Sequence, residues 1–297
     1  PQRGKRDNKM NYKSALVLAA TAVTASQGAV AQTPPGSVGI EAQPVVAPTA
    51  APAAGPRVLV GGLVGFAPDY EGSNDYEAAA APLASIRWAE GYGVSLGPST
   101  MRTYQLRGDL LPSRSWTFGP LLQRRGGRDG VDDPRVDNLS DIDPAWEAGA
   151  HFGYRLGIDP NNPVASLGIN IQAAADISDE SNGWLVQPGI DYINRFSPQW
   201  LFNARMFSTY ADENYMQQYF GIGASNVRDS RLRFYNADAG FKDVGFRVAA
   251  DYQFSERWST GGGLQYIRVI GDAEDSPVVK RGSEDQVFGG VSLSYRF

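Results

Sequence analysis

The stretch WEAGAHFGYRL, residues 146–156, decides the fold. Trp146, Ala148, Ala150, Phe152, Tyr154 and Leu156 alternate with Glu147, Gly149, His151, Gly153 and Arg155. A strict two-residue period belongs to a β-strand with two unlike faces. A soluble sandwich also alternates, but its apolar face points to a core and its outer face is rarely so rich in glycine. Here one face is small or charged, as a polar lumen requires, and the other ends in aromatic residues, as a membrane interface requires.

The same period recurs outward from this stretch. Leu167, Ile169 and Ile171 oppose Ser166, Gly168, Asn170 and Gln172. Trp184, Val186, Ile190, Tyr192 and Phe196 oppose Gln187, Asp191 and Arg195. Trp200, Phe202, Ala204, Met206 and Tyr210 oppose Asn203, Arg205 and Thr209. Phe246, Val248, Ala250, Tyr252 and Phe254 oppose Arg247, Asp251 and Gln253. The last run, QVFGGVSLSYRF, places Val287, Gly289, Val291, Leu293, Tyr295 and Phe297 on one face and ends on an aromatic residue. No later window reaches 18 apolar residues, so strands and not helices would cross a bilayer.

Twelve segments read as strands: 57–66, 78–89, 92–103, 115–125, 146–157, 164–176, 183–196, 200–211, 215–225, 243–254, 257–270 and 285–296. The expected fold is an all-β, antiparallel transmembrane barrel of the outer-membrane type with about twelve strands, within a range of ten to fourteen. The short polar turns Ser197–Gln199 and Ser255–Arg257 each precede a tryptophan, which places Trp200 and Trp258 in one interfacial girdle on the periplasmic side. One conflict remains in the count. Alternating from a periplasmic start, it puts 126–145 in the periplasm and Ser197–Gln199 outside, the reverse of what their lengths require. A strand between 76 and 120 is therefore miscounted or split.

The N-terminal region reads as an address. Residues 1–9 precede Met10; Lys13 supplies positive charge, Ala15–Ala25 an apolar run, and Ala29–Ala31 a small-x-small cleavage site. Residues 1–31 are thus upstream residues plus a signal peptide, Met10–Ala31. Residues 32–56 hold six prolines and form a Pro/Ala-rich arm unable to continue a helix or central strand. The barrel spans 57–297.

Composition narrows function further. The chain carries 27 basic and 32 acidic residues, and the acidic balance deepens once residues 1–31 are removed, so nucleic acid is not an expected partner. There are no cysteines and one histidine, which excludes disulfides and gives no reason to expect a cofactor or a zinc or haem site. The aspartate-rich run 127–143 lacks the spacing of an EF-hand and reads as a solvated acidic loop. His151 lies mid-strand on the polar face, away from any nucleophile-elbow pattern, so a hydrolase is the least expected function and no catalytic residue is assigned. Lumen candidates are Glu147, His151, Arg155, Asp191, Arg195, Arg205, Arg247 and Asp251.

The stretch GGLVGFAPDYEGSNDY at 61–76 resembles the opening signature of the MipA/OmpV family of MltA-interacting outer-membrane proteins, through Pro68, Asp69, Tyr70, Glu71, Gly72 and Ser73. GPLLQRR at 119–125, GGR at 126–128, QQYFGI at 217–222 and GDAEDSPVV at 271–279 resemble it further, in order. MRTYQLRGDLLPSRSW at 101–116 departs from the pattern, as does the arm. The resemblance covers 57–297. It implies a Gram-negative outer-membrane barrel, inserted by the barrel-assembly machinery among outer-membrane lipids and lipopolysaccharide. It also implies a non-enzymatic scaffold that joins a lytic transglycosylase to a penicillin-binding protein. A small-solute pore is the alternative. The motif itself has a structural reading: Pro68 ends a strand, Gly72 permits a positive φ, Ser73 bonds locally, and Tyr70 and Tyr76 mark the interface.

Overall fold

The computed structural model describes residues 55–297, apart from 112 and 114. The expected signal peptide and nearly all of the expected 32–56 arm lie outside the described residues. Twelve antiparallel strands close into a barrel: β1 (Arg57–Pro68), β2 (Tyr76–Arg87), β3 (Gly93–Thr100), β4 (Thr103–Asp109), β5 (Trp116–Arg125), β6 (Ala145–Gly157), β7 (Ser166–Asp176), β8 (Trp184–Arg195), β9 (Trp200–Ala211), β10 (Gly240–Gln253), β11 (Trp258–Val269) and β12 (Asp285–Arg296). Each strand pairs with its sequence neighbours, and β1 pairs with β12 from Leu59↔Arg296 to Phe66↔Gly289, so the sheet closes; the β2–β3 ladder is short, running only from Ala84↔Leu96 to Arg87↔Gly93. Closure is what lets strands cross hydrocarbon, because strand pairing satisfies backbone donors and acceptors within the wall. No helix among the described residues is long and apolar enough to cross a membrane.

Side-chain alternation becomes a two-faced wall. The outward face exposes Ile169 (62%), Val291 (60%), Val64 (57%) and Met206 (56%), while the inward face buries Gln265 (1%) and Arg247 (2%). Such exposure would be an aggregation hazard in water and is the contact surface in lipid. Two aromatic belts bound it. At one end Trp200 lies against Tyr252 (4.8 Å between ring centroids), Trp258 edge-on to Tyr295 (5.0 Å) and Trp116 against Tyr154 (4.5 Å). At the other, Trp184, Tyr210 and Phe241 form a chain of ring contacts at 5.8 and 5.5 Å.

Two expected segments differ from the structure, and the differences cancel in the count. The expected strand 92–103 covers β3 and the turn at Met101–Arg102, and a further strand, β4, follows in 103–109, a stretch otherwise assigned to no strand. No Gly, Asn or Pro marks this turn; the Thr100 hydroxyl makes it, accepting from the backbone N–H of Arg102 (3.1 Å) and of Thr103 (3.0 Å). The expected strand 215–225 is instead helical. Helix α1 (Glu213–Phe220) is capped by Asp212, whose side chain accepts from the Tyr215 N–H at 3.1 Å. Its buried residues Tyr215, Met216, Tyr219 and Phe220 fall on one helical stripe and not on alternate positions.

The correction resolves the sidedness conflict. The connections 88–92, 110–115, 158–165, 196–199 and 254–257 share the end that carries Arg57 and Arg296. The connections 69–75, 101–102, 126–144, 177–183, 212–239 and 270–284 share the other. Short turns face the periplasm and long loops face outward in outer-membrane barrels, so 126–144 is extracellular and Ser197–Gln199 periplasmic. Trp200 and Trp258 both lie in the periplasmic belt.

Candidate functional site

The outer loops fold into a cap with its own core. Besides α1 it contains α2 (Ala224–Ser230), α3 (Gly271–Asp275) and α4 (Pro277–Arg281). Tyr215, Met216, Tyr219 and Phe220 of α1 pack with Ile142, Ala273 and Val279, continuous with Leu185, Ala211 and Val269 at the strand ends. A second cluster joins Tyr70, Val131, Val136, Leu139, Ile222, Leu232 and Val278. The 127–143 run is thus not simply a solvated acidic loop. It inserts Val131, Val136, Leu139 and Ile142 into the cap, while Asp133 accepts from the N–H of Arg135 (2.8 Å) and pairs with Arg281 (2.7 Å). Among the described residues no group of His, Cys, Asp and Glu could hold a metal ion.

The sequence stretches that carried the family resemblance meet in this cap. Pro68 closes β1, and Gly72 takes φ +102°. A Cβ at Gly72 would lie 2.7 Å from Val279 Cγ2, so both the backbone angle and the space require glycine. The Gly72 carbonyl accepts from the Ser283 N–H (2.8 Å), and Gln286 holds the same turn at both ends, accepting from Gly72 N–H (3.1 Å) and donating to the Ser73 carbonyl (2.9 Å). The Ser276 hydroxyl donates to the Phe220 carbonyl (2.5 Å), and Arg128 donates to the Tyr219 carbonyl (3.0 Å). Tyr70 does not mark the membrane interface as expected; it is 2% exposed in the cap core, and burial pushes its phenol up to about 12. Tyr76, at the start of β2, is exposed on the outer wall.

Beneath the cap a polar layer seals the lumen. The Lys242 ammonium donates to Glu71 of the cap and to Asp243 (2.7 Å). The Tyr215 hydroxyl donates to the other Glu71 oxygen (3.2 Å). Burial works against a charged Glu71, but Lys242 and Arg125 outweigh it and hold the carboxyl below the usual carboxylate value. Arg125 binds Glu147 through two nitrogens (2.7 and 3.1 Å) and lies 5.2 Å over the Tyr215 ring. Gln123 also donates to Glu147, and Gln105 donates to Gln123. About 80 Å³ of free space remains within this layer, with Gln105, Gln172 and Tyr219 each bringing to it a buried oxygen that has no protein partner. An unpaired buried acceptor is costly, so these atoms suit water or a small polar solute.

All eight lumen candidates face inward. Glu147 belongs to the sealing layer. Arg205 donates to Asn170 (2.9 Å) and Gln187 (3.2 Å) and lies 4.0 Å from Asp191. His151 directs Nε2 to the Gly108 carbonyl at 2.9 Å, with Asp109 3.8 Å away. Arg247 and Asp251 are buried on β10, whereas Arg155 and Arg195 are half-exposed toward the periplasmic end.

Sequence reasoning passed over the residues that join cap to lumen. Gln123 and Arg125 were accessible, since they continue the inward register of Gly119 and Leu121 on β5. Lys242 and Asp243 were not. A register irregularity between Phe241 and Asp243 turns two consecutive residues inward, which breaks the alternation that would have found them.

These features define a closed β-barrel of the Gram-negative outer membrane, with a polar lumen and a folded outer cap. The chain belongs to the MltA-interacting protein MipA family, whose sequence profile matches residues 60–297. It is 30% identical over 131 residues to the putative outer membrane protein YiaT of Escherichia coli K12, a match covering 43% of this chain and 51% of that protein. The chain thus spans about half the length of the curated relative it matches. Among solved structures it is similar to an outer-membrane channel from Pseudomonas putida F1, at TM-score 0.44 and 14% identity over 83% of this chain and 97% of that one. It is also similar to the NanC porin, at TM-score 0.44 and 10% identity over 81% and 100%.

Proposed function

We propose that the barrel is a narrow channel for small solutes, closed in this state by the cap and the polar layer beneath it. The observation that carries this reading is the lining. Buried Gln, Arg, Glu and Asp side chains project from strands around the barrel and enclose a small chamber. Filling the same space with apolar side chains would avoid the desolvation of several charges. A polar lining is what an aqueous path needs. The cap is built from loops, so it can move without unpairing a strand of the wall. Replacing residues 213–238 with a short Gly/Ser turn removes α1 and α2 and keeps the β9–β10 hairpin. In planar bilayers the expected result is stepwise current for the shortened protein and rare or smaller steps for the full mature chain. Absence of steps from both overturns the channel reading.

A second reading comes from the family, described as MltA-interacting: a scaffold for murein-remodelling enzymes such as a lytic transglycosylase and a penicillin-binding protein. Its contact surface would be the periplasmic rim together with the 32–56 arm. Turns as short as 196–199 and 254–257 offer little of the roughly 800 Å² per partner that a stable interface uses. Cross-linking in cells, with and without residues 33–56, tests it. Recovery of a murein enzyme that weakens on deletion supports a scaffold, and recovery from neither form removes it.

A further inference from the structure

The lumen changes charge along its axis. Near the cap, Arg125 and Lys242 are matched by Glu71, Glu147 and Asp243. In the periplasmic half, eight arginines occupy inward positions against three side-chain carboxylates, Asp109, Asp191 and Asp251. Five of the eight line the mouth and are half-exposed: Arg57, Arg87, Arg155, Arg195 and Arg296. The excess is local. The outer connections between strands hold nineteen acidic and eight basic residues, and the whole chain is net acidic.

Placement makes this more than a count. Arg57 and Arg87 are direct cross-strand partners in the β1–β2 register, both on the inward face. Arg296 stands on the other side of β1, paired with Leu59 and hence one inward step from Arg57. Three guanidinium side chains therefore sit side by side on three adjacent strands. Arg195, from β8, is a charged neighbour of Arg296, and Arg155 is a charged neighbour of Arg87. Like charges directly opposite one another destabilise a strand pair. The carboxylates here are shared among several arginines. Asp109 pairs with Arg87 at 2.9 Å and is also a charged neighbour of Arg155, and Asp191 accepts from Asn170 and lies beside Arg205. Asp251 is a charged neighbour of Arg195, so three carboxylates face eight guanidinium groups. A concave, water-accessible surface with this excess concentrates anions, and guanidinium forks match carboxylate and phosphate oxygens.

We propose that the periplasmic mouth of the barrel is a binding site for small multivalent anions bearing carboxylate or phosphate groups. The proposal deepens the channel reading by naming its solute class, and binding itself does not require conduction. An asymmetric pore of this kind, basic at one end and acidic at the other, also passes current more easily in one direction.

The test uses the folded mature barrel in neutral detergent at low salt, with citrate as probe and glucose as the neutral control. Calorimetric titration is expected to show citrate binding that weakens as salt is raised and that is at least tenfold weaker in the Arg195→Gln/Arg296→Gln double variant. Arg281→Gln, on the cap, should bind like the wild type. Equal binding by the double variant, or no citrate binding above the glucose signal, overturns the site. Reversal potentials of the cap-shortened barrel across a potassium chloride gradient give an independent measure with the arginines intact, and chloride preference is expected. Conduction with cation preference overturns the basic mouth as selector and leaves the channel standing. Citrate binding by a barrel that never conducts overturns the channel and leaves the site.

Discussion

The two ends of this barrel solve opposite problems with the same wall. The outer end is a small folded unit. Its loops share apolar clusters, and its buried charges are matched in sign, Lys242 against Glu71 and Asp243, Arg125 against Glu147. The periplasmic end has connections of four to eight residues, a small apolar cluster of Val164, Ile193 and Leu201, and arginines placed beside arginines. Matched buried charges close a structure, because each needs the other in place. An excess of one sign of charge at a wet mouth leaves a field that acts on whatever arrives. The contrast teaches that the wall sets the shape while the loops and inward side chains set what each end does.

The comparison breaks most severely at Lys242. Lys242→Met leaves Glu71 and Asp243 buried without their cation, and removing one partner of a buried pair costs about 3–5 kcal/mol. The cap should lose protection from hydrogen exchange while the strand amides keep theirs. Equal loss at both ends would mean that cap and mouth are not independent.

The wall common to both ends is tested next. Val291 faces lipid and Ser292 the lumen. Val291→Arg should reduce folding stability by roughly 2–4 kcal/mol near the bilayer midplane, with a much smaller loss for Ser292→Arg. Denaturant titration in lipid vesicles measures both, and equal losses would contradict the assigned faces.

Acid separates the ends more gently. Glu71 has a folded pKa below its ordinary value of 4.5, so its contribution is complete above that value and is lost as pH falls through the lower folded one. Cap protection should fall below about pH 4.5 in the wild type and change less in Glu71→Gln, which has already lost the charge. A cap whose acid response is unchanged by Glu71→Gln would assign the transition to other carboxylates. The smallest effect is expected at the cap surface. The Arg281–Asp133 pair, with the Arg281 side chain 39% exposed, should be worth at most about 1 kcal/mol by double-mutant cycle and less in high salt.

Much of this molecule was legible as sequence. Alternation is a local property of a strand, set by the pleat, so one pass along the chain assigned the lipid face at Leu167, Ile169, Phe246 and Val248 and the inward face at Glu147, Arg205, Arg247 and Asp251. The glycine of the 68–73 motif and the strand end at Pro68 followed from backbone chemistry alone. The hairpin at Met101–Arg102 did not, because a threonine hydroxyl and no turn residue makes it, and it falls in the stretch that departs from the family pattern. Helix α1 was misread because Tyr215, Met216, Tyr219 and Phe220 are apolar enough for a strand, and only their burial against loops far away in sequence selects the helix.

What the sequence by itself determined is the wall: a closed antiparallel barrel, its two faces, its interfacial aromatics and its family. What only the tertiary structure decided is the meeting of 68–73, 123–128, 217–222 and 271–279 in one cap, the inward turn of Lys242 beside Glu71, and the gathering of Arg57, Arg87, Arg195 and Arg296 at one mouth. The physical reason is range. A two-residue period is written in neighbouring residues, whereas which side chains face one another across a lumen depends on closure, register and a single bulge, all fixed by contacts between strands distant in the chain.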